Sequence, residues 1–69
     1  MLKIDTLGRI ISGDDAGMFV KILKSEDTGG FLILISGDPS MKSAFDSWVK
    51  DFESLEQYAN ECNWIIEWF

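Results

Sequence analysis

Residues 51–68 constrain the fold more than any other stretch, because they hold a helical pattern followed directly by a strand pattern. Asp51 is a suitable helix N-cap, and Asn63 can adopt the left-handed conformation that ends helices. Between them, apolar side chains recur at intervals of three and four, the spacing of one helix face. These residues are Phe52, Leu55, Ala59 and Cys62. The segment Trp64–Trp68 then combines β-branched and aromatic residues, which favours a strand.

Two interpretations of residues 38–50 remain open. Asp38 as N-cap and Pro39 as the first helical residue would begin one long helix, because the apolar spacing continues without a break. The alternative is a loop followed by a short extended segment, Asp46–Lys50, and then a helix over 52–62. Trp, Val, Phe and two Ser residues between positions 43 and 50 lower the helix propensity there, so we prefer the second interpretation.

The first half of the chain alternates apolar segments with turns rich in Gly and Asp, which predicts antiparallel strands joined by hairpins. The expected strands are Met1–Asp5, Arg9–Ser12, Met18–Lys24 and Phe31–Ser36, with an interruption at Leu7-Gly8 and turns at 13–17 and 25–30. The Phe31–Ser36 segment is apolar almost throughout, as expected of a strand covered on both faces. We expect the helix to cover one face and the chain's own loops to cover the other, with a second chain as the alternative.

These elements predict a single α+β domain over residues 1–69. The expected fold is a small antiparallel sheet of about four or five strands, in the order β-β-β-β-α-β, with one helix from the second half of the chain packed on one face.

The chain is acidic, with twelve Asp and Glu residues against six Lys and Arg, a net charge of −6. This balance opposes direct binding to nucleic-acid phosphates, and it favours either plain solubility or a basic partner. The single cysteine, Cys62, cannot form an intrachain disulfide, which is typical of a reducing compartment, and we expect a cytoplasmic protein. We recognise no signal peptide, and no segment approaches the roughly 20 apolar residues of a membrane span.

Few residue types that carry out catalysis are present. The chain has no histidine, so a general base at neutral pH would have to be a carboxylate with a raised pKa. Cys62 has no basic partner for thiol catalysis, and the ligands of a zinc site are missing. Asp14 and Asp15 lie between glycines, but the spacing of a calcium-binding loop is absent, and a hairpin turn is the preferred interpretation. We therefore predict no catalytic residue, no metal and no cofactor.

Acidic residues interleaved with Trp and Tyr suit the binding of a basic protein. Aromatic side chains supply anchoring area, and carboxylates steer and pair with Arg or Lys. The candidate partner-binding residues are Asp46, Trp48, Asp51, Glu53 and Glu56, with Asp14 and Asp15 as a second site. For Trp48, packing in the core is as reasonable an interpretation as exposure.

From Gly29 to Trp68 the chain resembles many small bacterial proteins. The shared pattern is an apolar strand after a glycine turn, an Asp-x-Trp segment, a Leu-Glu-x-Tyr helix and a closing Trp-x-Ile-x-Trp strand. Here these are Gly29–Ser36, Asp46–Trp48, Leu55–Tyr58 and Trp64–Trp68. Several such proteins are immunity proteins of polymorphic toxin systems, which bind a cognate toxin and block it. The resemblance implies a non-enzymatic immunity protein, and it favours a short extended segment before the helix.

Two further hypotheses belong to other functional classes. The chain could be a structural or assembly subunit, for example a homodimer that buries Phe31, Ile33 and Ile35 against a second copy. It could also mimic a nucleic acid and inhibit a DNA-binding protein, which requires its carboxylates to lie on one face.

Overall fold

The protein is a five-stranded antiparallel sheet with one α-helix, described by a computed structural model for residues 2–69. The elements are β1 (Leu7–Ser12), β2 (Phe19–Lys24), β3 (Phe31–Ser36), β4 (Phe45–Val49), α1 (Phe52–Glu61) and β5 (Ile65–Trp68). Their order across the sheet is β4-β3-β2-β1-β5, so β4 and β5 are the edge strands. The predicted α+β class, the antiparallel sheet and the order of elements along the chain are confirmed.

The segment before the helix is a loop and a short strand, as preferred from the sequence. The Asp38 carboxylate accepts hydrogen bonds from the backbone N–H and the hydroxyl of Ser40, at 3.0 and 2.7 Å, and so closes a turn. Met41 has a positive φ of 60°, which a continuing helix cannot contain. The chain then enters β4, and the long helix starting at Asp38 does not form.

The N-terminal segment differs from the expectation. Met1 lies outside the described residues, and the rest of the expected strand, residues 2–5, is not in the sheet. Asp5 has a φ of 57°, which ends any extended run, although its N–H donates to the carbonyl of Ile22 at 2.8 Å. Leu2 and Ile4 pack against the core instead.

Leu7 and Gly8 are the first two residues of β1, so the interruption predicted at this position is wrong. A Cβ built on Gly8 would lie 2.7 Å from a methyl carbon of Ile66 and 2.8 Å from the ring of Trp68. Glycine is therefore required at this position because β5 side chains pack directly onto the β1 backbone, a recognised use of glycine within a strand.

The core lies between α1 and one face of the sheet, here called the inner face. Antiparallel partners share a face, and the pairs Val20–Ile35 and Ile22–Ile33 place four buried side chains on it. Leu55 of α1 is fully buried against them, which stabilises the fold by roughly 1.5–3 kcal/mol. In the alternative hypothesis a homodimer buries Phe31, Ile33 and Ile35, but Ile33 and Ile35 are already buried within the monomer, and only Phe31 is partly exposed.

The opposite face of the sheet, here called the outer face, has no second layer. The strand registers place on it Leu7, Arg9, Phe19, Lys21, Leu23, Leu32, Leu34, Asp46, Trp48 and Glu67. Ser36, which pairs with Phe19, also lies on this face and is buried, and its hydroxyl donates to the carbonyl of Ser43 in the following loop at 2.7 Å. The other residues are at least partly exposed, and none belongs to the core or packs against it. Among residues 2–69, the expectation that the chain's own loops cover the second face of β3 is therefore confirmed only at Ser36, because Leu32 and Leu34 remain partly exposed.

Candidate protein-binding surface

The helix begins and ends where the sequence predicts. Asp51 has an extended backbone, and its side chain accepts a hydrogen bond of 2.7 Å from the backbone N–H of Ser54. This hydrogen bond holds the pKa of the Asp51 carboxyl below its ordinary value. At the other end Asn63 has a φ of 56°, and the N–H of Trp64 donates to the carbonyl of Ala59 at 3.1 Å. This is the left-handed cap expected of Asn63.

The side of α1 that faces away from the sheet is polar and acidic. Residues three and four positions apart lie side by side on a helix, so the polar positions form one continuous stripe. Its members line a shallow depression and are all exposed: Glu53, Glu56, Gln57, Asn60 and Glu61. Two of the predicted binding residues, Glu53 and Glu56, therefore lie on one surface.

The β1–β2 turn extends this acidic surface beyond the end of the helix. The N–H of Asp14 donates to the carbonyl of Cys62 at 2.9 Å, and Nε1 of Trp64 donates to the carbonyl of Asp14 at 2.7 Å. Gly13 permits this approach, since a Cβ there would overlap the carbonyl oxygen of Asn63. The turn predicted at 13–17 is thus confirmed as a hairpin turn, and hydrogen bonds join it to the C-terminus of the helix.

Three carboxylates lie close enough to the Cys62 thiol to affect its pKa. Burial raises its pKa, and the negative charges of Asp14, Asp15 and Glu61 raise it further, as does a hydrogen bond to Asp14. The thiol is therefore protonated at neutral pH. We call the surface formed by Glu53, Glu56, Glu61, Asp14 and Asp15 the acidic ridge.

A groove of about 350 Å³ lies beside the ridge, between α1 and β5, and we call it the β5 groove. Its lining is Leu2, Glu56, Ala59, Asn60, Trp64, Ile65, Ile66 and Trp68. Trp64 is fixed by its bond to Asp14 and by an edge-on contact with Tyr58, with ring centroids 5.5 Å apart. Because Glu56 and Asn60 line both features, the groove and the ridge form one continuous surface.

The structure separates the residues predicted as a binding site into two groups. Asp46 pairs with Leu34 and Trp48 pairs with Leu32, which places both on the outer face, away from the ridge. Trp48 is 51% exposed, and its Nε1 donates to the carbonyl of Gly29 at 2.9 Å. Of the two interpretations of Trp48, exposure is therefore the one observed.

Asp51 lies in neither group, and Oδ1 of its carboxylate accepts the capping hydrogen bond from the N–H of Ser54. By contrast, Asp14 and Asp15, predicted as a separate second site, join the helix carboxylates.

Several surface residues were not predicted from the sequence. Phe45 at the start of β4 is 76% exposed, Ile65 of β5 is 62% exposed, and Phe69 is 63% exposed. The groove tryptophans could have been found, since alternation puts positions 64, 66 and 68 on one face of a strand. Nothing in the local sequence around Phe45 indicates that α1 leaves it uncovered.

Residues 2–69 contain neither a metal-binding cluster nor a membrane-spanning helix. Within this range, no group of three or more His, Cys, Asp or Glu side chains is arranged to hold a metal ion. No helix in the same range has the length and apolar character to cross a membrane.

In comparisons with known proteins, no family model, no curated protein and no solved structure matches this chain.

Proposed function

We propose that this protein binds a basic protein partner through the acidic ridge and the β5 groove, and performs no reaction of its own. One observation carries the proposal. The fold brings the carboxylates of the β1–β2 turn to the end of a helix that already exposes acidic residues, and places an aromatic groove beside them. Charge and anchoring area thereby occupy the same surface.

The ridge supplies attraction over distance. The molecule carries a net charge of −6, and five carboxylates lie on this one surface. Such a surface accelerates encounter with a positively charged partner and orients it, with an effect that falls as salt increases. The ridge therefore accounts for selectivity toward basic surfaces.

The β5 groove supplies the anchor. An Arg or Lys side chain has an apolar stem and a charged end, and the groove offers apolar walls with the Glu56 carboxylate at its margin. Indole rings of Trp64 and Trp68 line the same space. A guanidinium over an indole face contributes about 0.5–2 kcal/mol, in addition to its pairing with Glu56.

The partner that we propose is a bacterial toxin domain, which this protein neutralises by covering its active surface. The resemblance of Gly29–Trp68 to immunity proteins motivates this choice. A toxin that acts on nucleic acid needs a basic surface to hold phosphates, and such a surface is complementary to the acidic ridge.

The experiment uses the product of the gene adjacent to this one, purified with an inactivating substitution and titrated calorimetrically with the protein. The test variant carries Glu56→Gln and Glu61→Gln on the ridge. The control carries Glu26→Gln and Asp27→Asn, which remove the same charge from the exposed β2–β3 turn, at the opposite end of the sheet from the β1–β2 turn. We expect the ridge variant to bind at least about tenfold more weakly and the control to bind within about threefold of the parent.

Two results would contradict the proposal. If the adjacent gene encodes a metabolic protein that does not bind this chain, the proposal of a toxin partner is contradicted. Equal weakening by the ridge and control variants would show that net charge alone, and not this surface, determines binding.

A further inference from the structure

The outer face carries a set of apolar side chains that no helix or strand within residues 2–69 covers. Leu23, Leu32 and Trp48 form one row across three strands, because Leu32 pairs with both of the others. Leu34 and Leu7 flank Lys21 in the next row. In a monomer these side chains remain at least partly in contact with water. Contiguous apolar surface of this kind is typical of an interface.

The charges of the outer face decide what kind of partner fits it. It carries two cations, Arg9 and Lys21, and two anions, Asp46 and Glu67. Its net charge is therefore zero, whereas the whole chain carries −6. Two copies of a strongly acidic protein can approach through this face without the repulsion that opposes contact elsewhere.

We infer that two copies of this protein associate through their outer faces to form a homodimer, sheet against sheet. The inference is independent of the proposed function, because the acidic ridge lies beyond the inner face on the other side of the sheet. Face-to-face packing of two sheets about 10 Å apart makes a second apolar core from side chains such as Leu32 and Leu34. The two acidic ridges then lie on opposite sides of the dimer, facing away from the buried interface.

The size of the face limits the area that two copies can bury against each other. Five strands, of four to six residues each, spaced about 4.8 Å apart and rising about 3.3 Å per residue, make a face of about 24 by 20 Å. Two such faces bury at most about 1,000 Å², the lower limit of specific interfaces. Interfaces at this limit are typical of weak, transient association, so we expect a dissociation constant in the micromolar range.

Two substitutions on β2 provide a matched test. Lys21→Glu changes the outer face from neutral to a charge of −2 in each copy. Lys24→Glu makes the same change in total charge on the same strand, but Lys24 is exposed and pairs with Phe31 on the inner side of the sheet. Both lysines are surface residues, and circular dichroism checks that each variant is folded.

Sedimentation equilibrium from about 1 μM to about 500 μM brackets the expected dissociation constant. We expect the parent protein to change from monomer to dimer, Lys21→Glu to weaken association at least about tenfold, and Lys24→Glu to change it less than about threefold. A monomer throughout the range would overturn the inference. A dimer that both variants weaken equally, or that only Lys24→Glu weakens, would overturn it too.

Discussion

A single methyl group added at Gly13 should have a large effect, because this residue joins the β1–β2 turn to the helix. A Cβ at Gly13 would overlap the carbonyl oxygen of Asn63 and lie 2.5 Å from that of Cys62. Gly17 ends the same turn with nearly the same φ, 94° against 99°, and a Cβ there meets nothing within 4 Å. The pair Gly13→Ala and Gly17→Ala therefore separates loss of contact from backbone strain.

The expected magnitudes follow from these surroundings. Both substitutions carry the strain of a positive φ, roughly 1–2 kcal/mol. In Gly13→Ala the obstructing atoms are backbone, so the turn must lift away and lose the two hydrogen bonds of Asp14, to Cys62 and to Trp64. Each contributes roughly 0.5–1.5 kcal/mol, which makes Gly13→Ala about 1–3 kcal/mol worse than Gly17→Ala. A domain of this size has only about 3–5 kcal/mol in total.

Urea denaturation followed by tryptophan fluorescence and circular dichroism measures both variants against the parent. We expect Gly17→Ala to remain folded and Gly13→Ala to be largely unfolded or close to it at 25 °C. If the two variants lose the same free energy of unfolding, the turn does not bear on the helix C-terminus, and the acidic ridge is not a continuous surface.

Three further predictions concern the helix. The lowered pKa of Asp51 contributes stability that is present above its unfolded value of 3.8 and is lost as pH falls through the folded pKa. Asp51→Asn still caps the helix but does not titrate. Between about pH 5 and about pH 2, its urea midpoint should therefore fall less than that of the parent protein. The raised pKa of Cys62 predicts slower alkylation by iodoacetamide in the folded than in the unfolded protein, and faster alkylation after Asp14→Asn, measured by mass spectrometry. Leu55→Ala should lower the free energy of unfolding by about 2–5 kcal/mol, and Phe52→Ala, at a 40% exposed position, by less, as urea titration would show.

The elements of the fold were predictable from the sequence wherever local signals agreed. The Asp51 cap, the apolar spacing of the helix and the left-handed Asn63 all indicate the same boundaries, and the structure has them. The turn at 13–17 was equally clear. Where the N-terminal residues are concerned, Leu2 and Ile4 have a strand-like spacing, but they pack on the core without pairing. Local pattern cannot distinguish these two ways of burying an apolar residue.

The layers of the fold were not predictable, because they depend on what covers each face of the sheet. The apolar run of β3 suggested two covers, yet its even-numbered residues lie on the outer face. Alternation shows that Leu32 and Leu34 share a face, but it does not show which face meets the helix.

The candidate site was predictable only in part for the same reason. The helix acids Glu53 and Glu56 share a surface because of local spacing. Asp14 reaches that surface through contacts with Cys62 and Trp64, about fifty positions away, which no local pattern encodes. Trp48, close to the helix in sequence, lies on the opposite side of the sheet.

A sheet covered on one side makes folding and self-association interdependent. If association through the outer face stabilises the folded chain and not the unfolded one, the melting temperature rises with protein concentration by mass action. Measurements on dilute samples would then report a less stable molecule than those at the concentrations used for calorimetry or NMR. The apparent stability of this protein would then depend on its concentration in the cell.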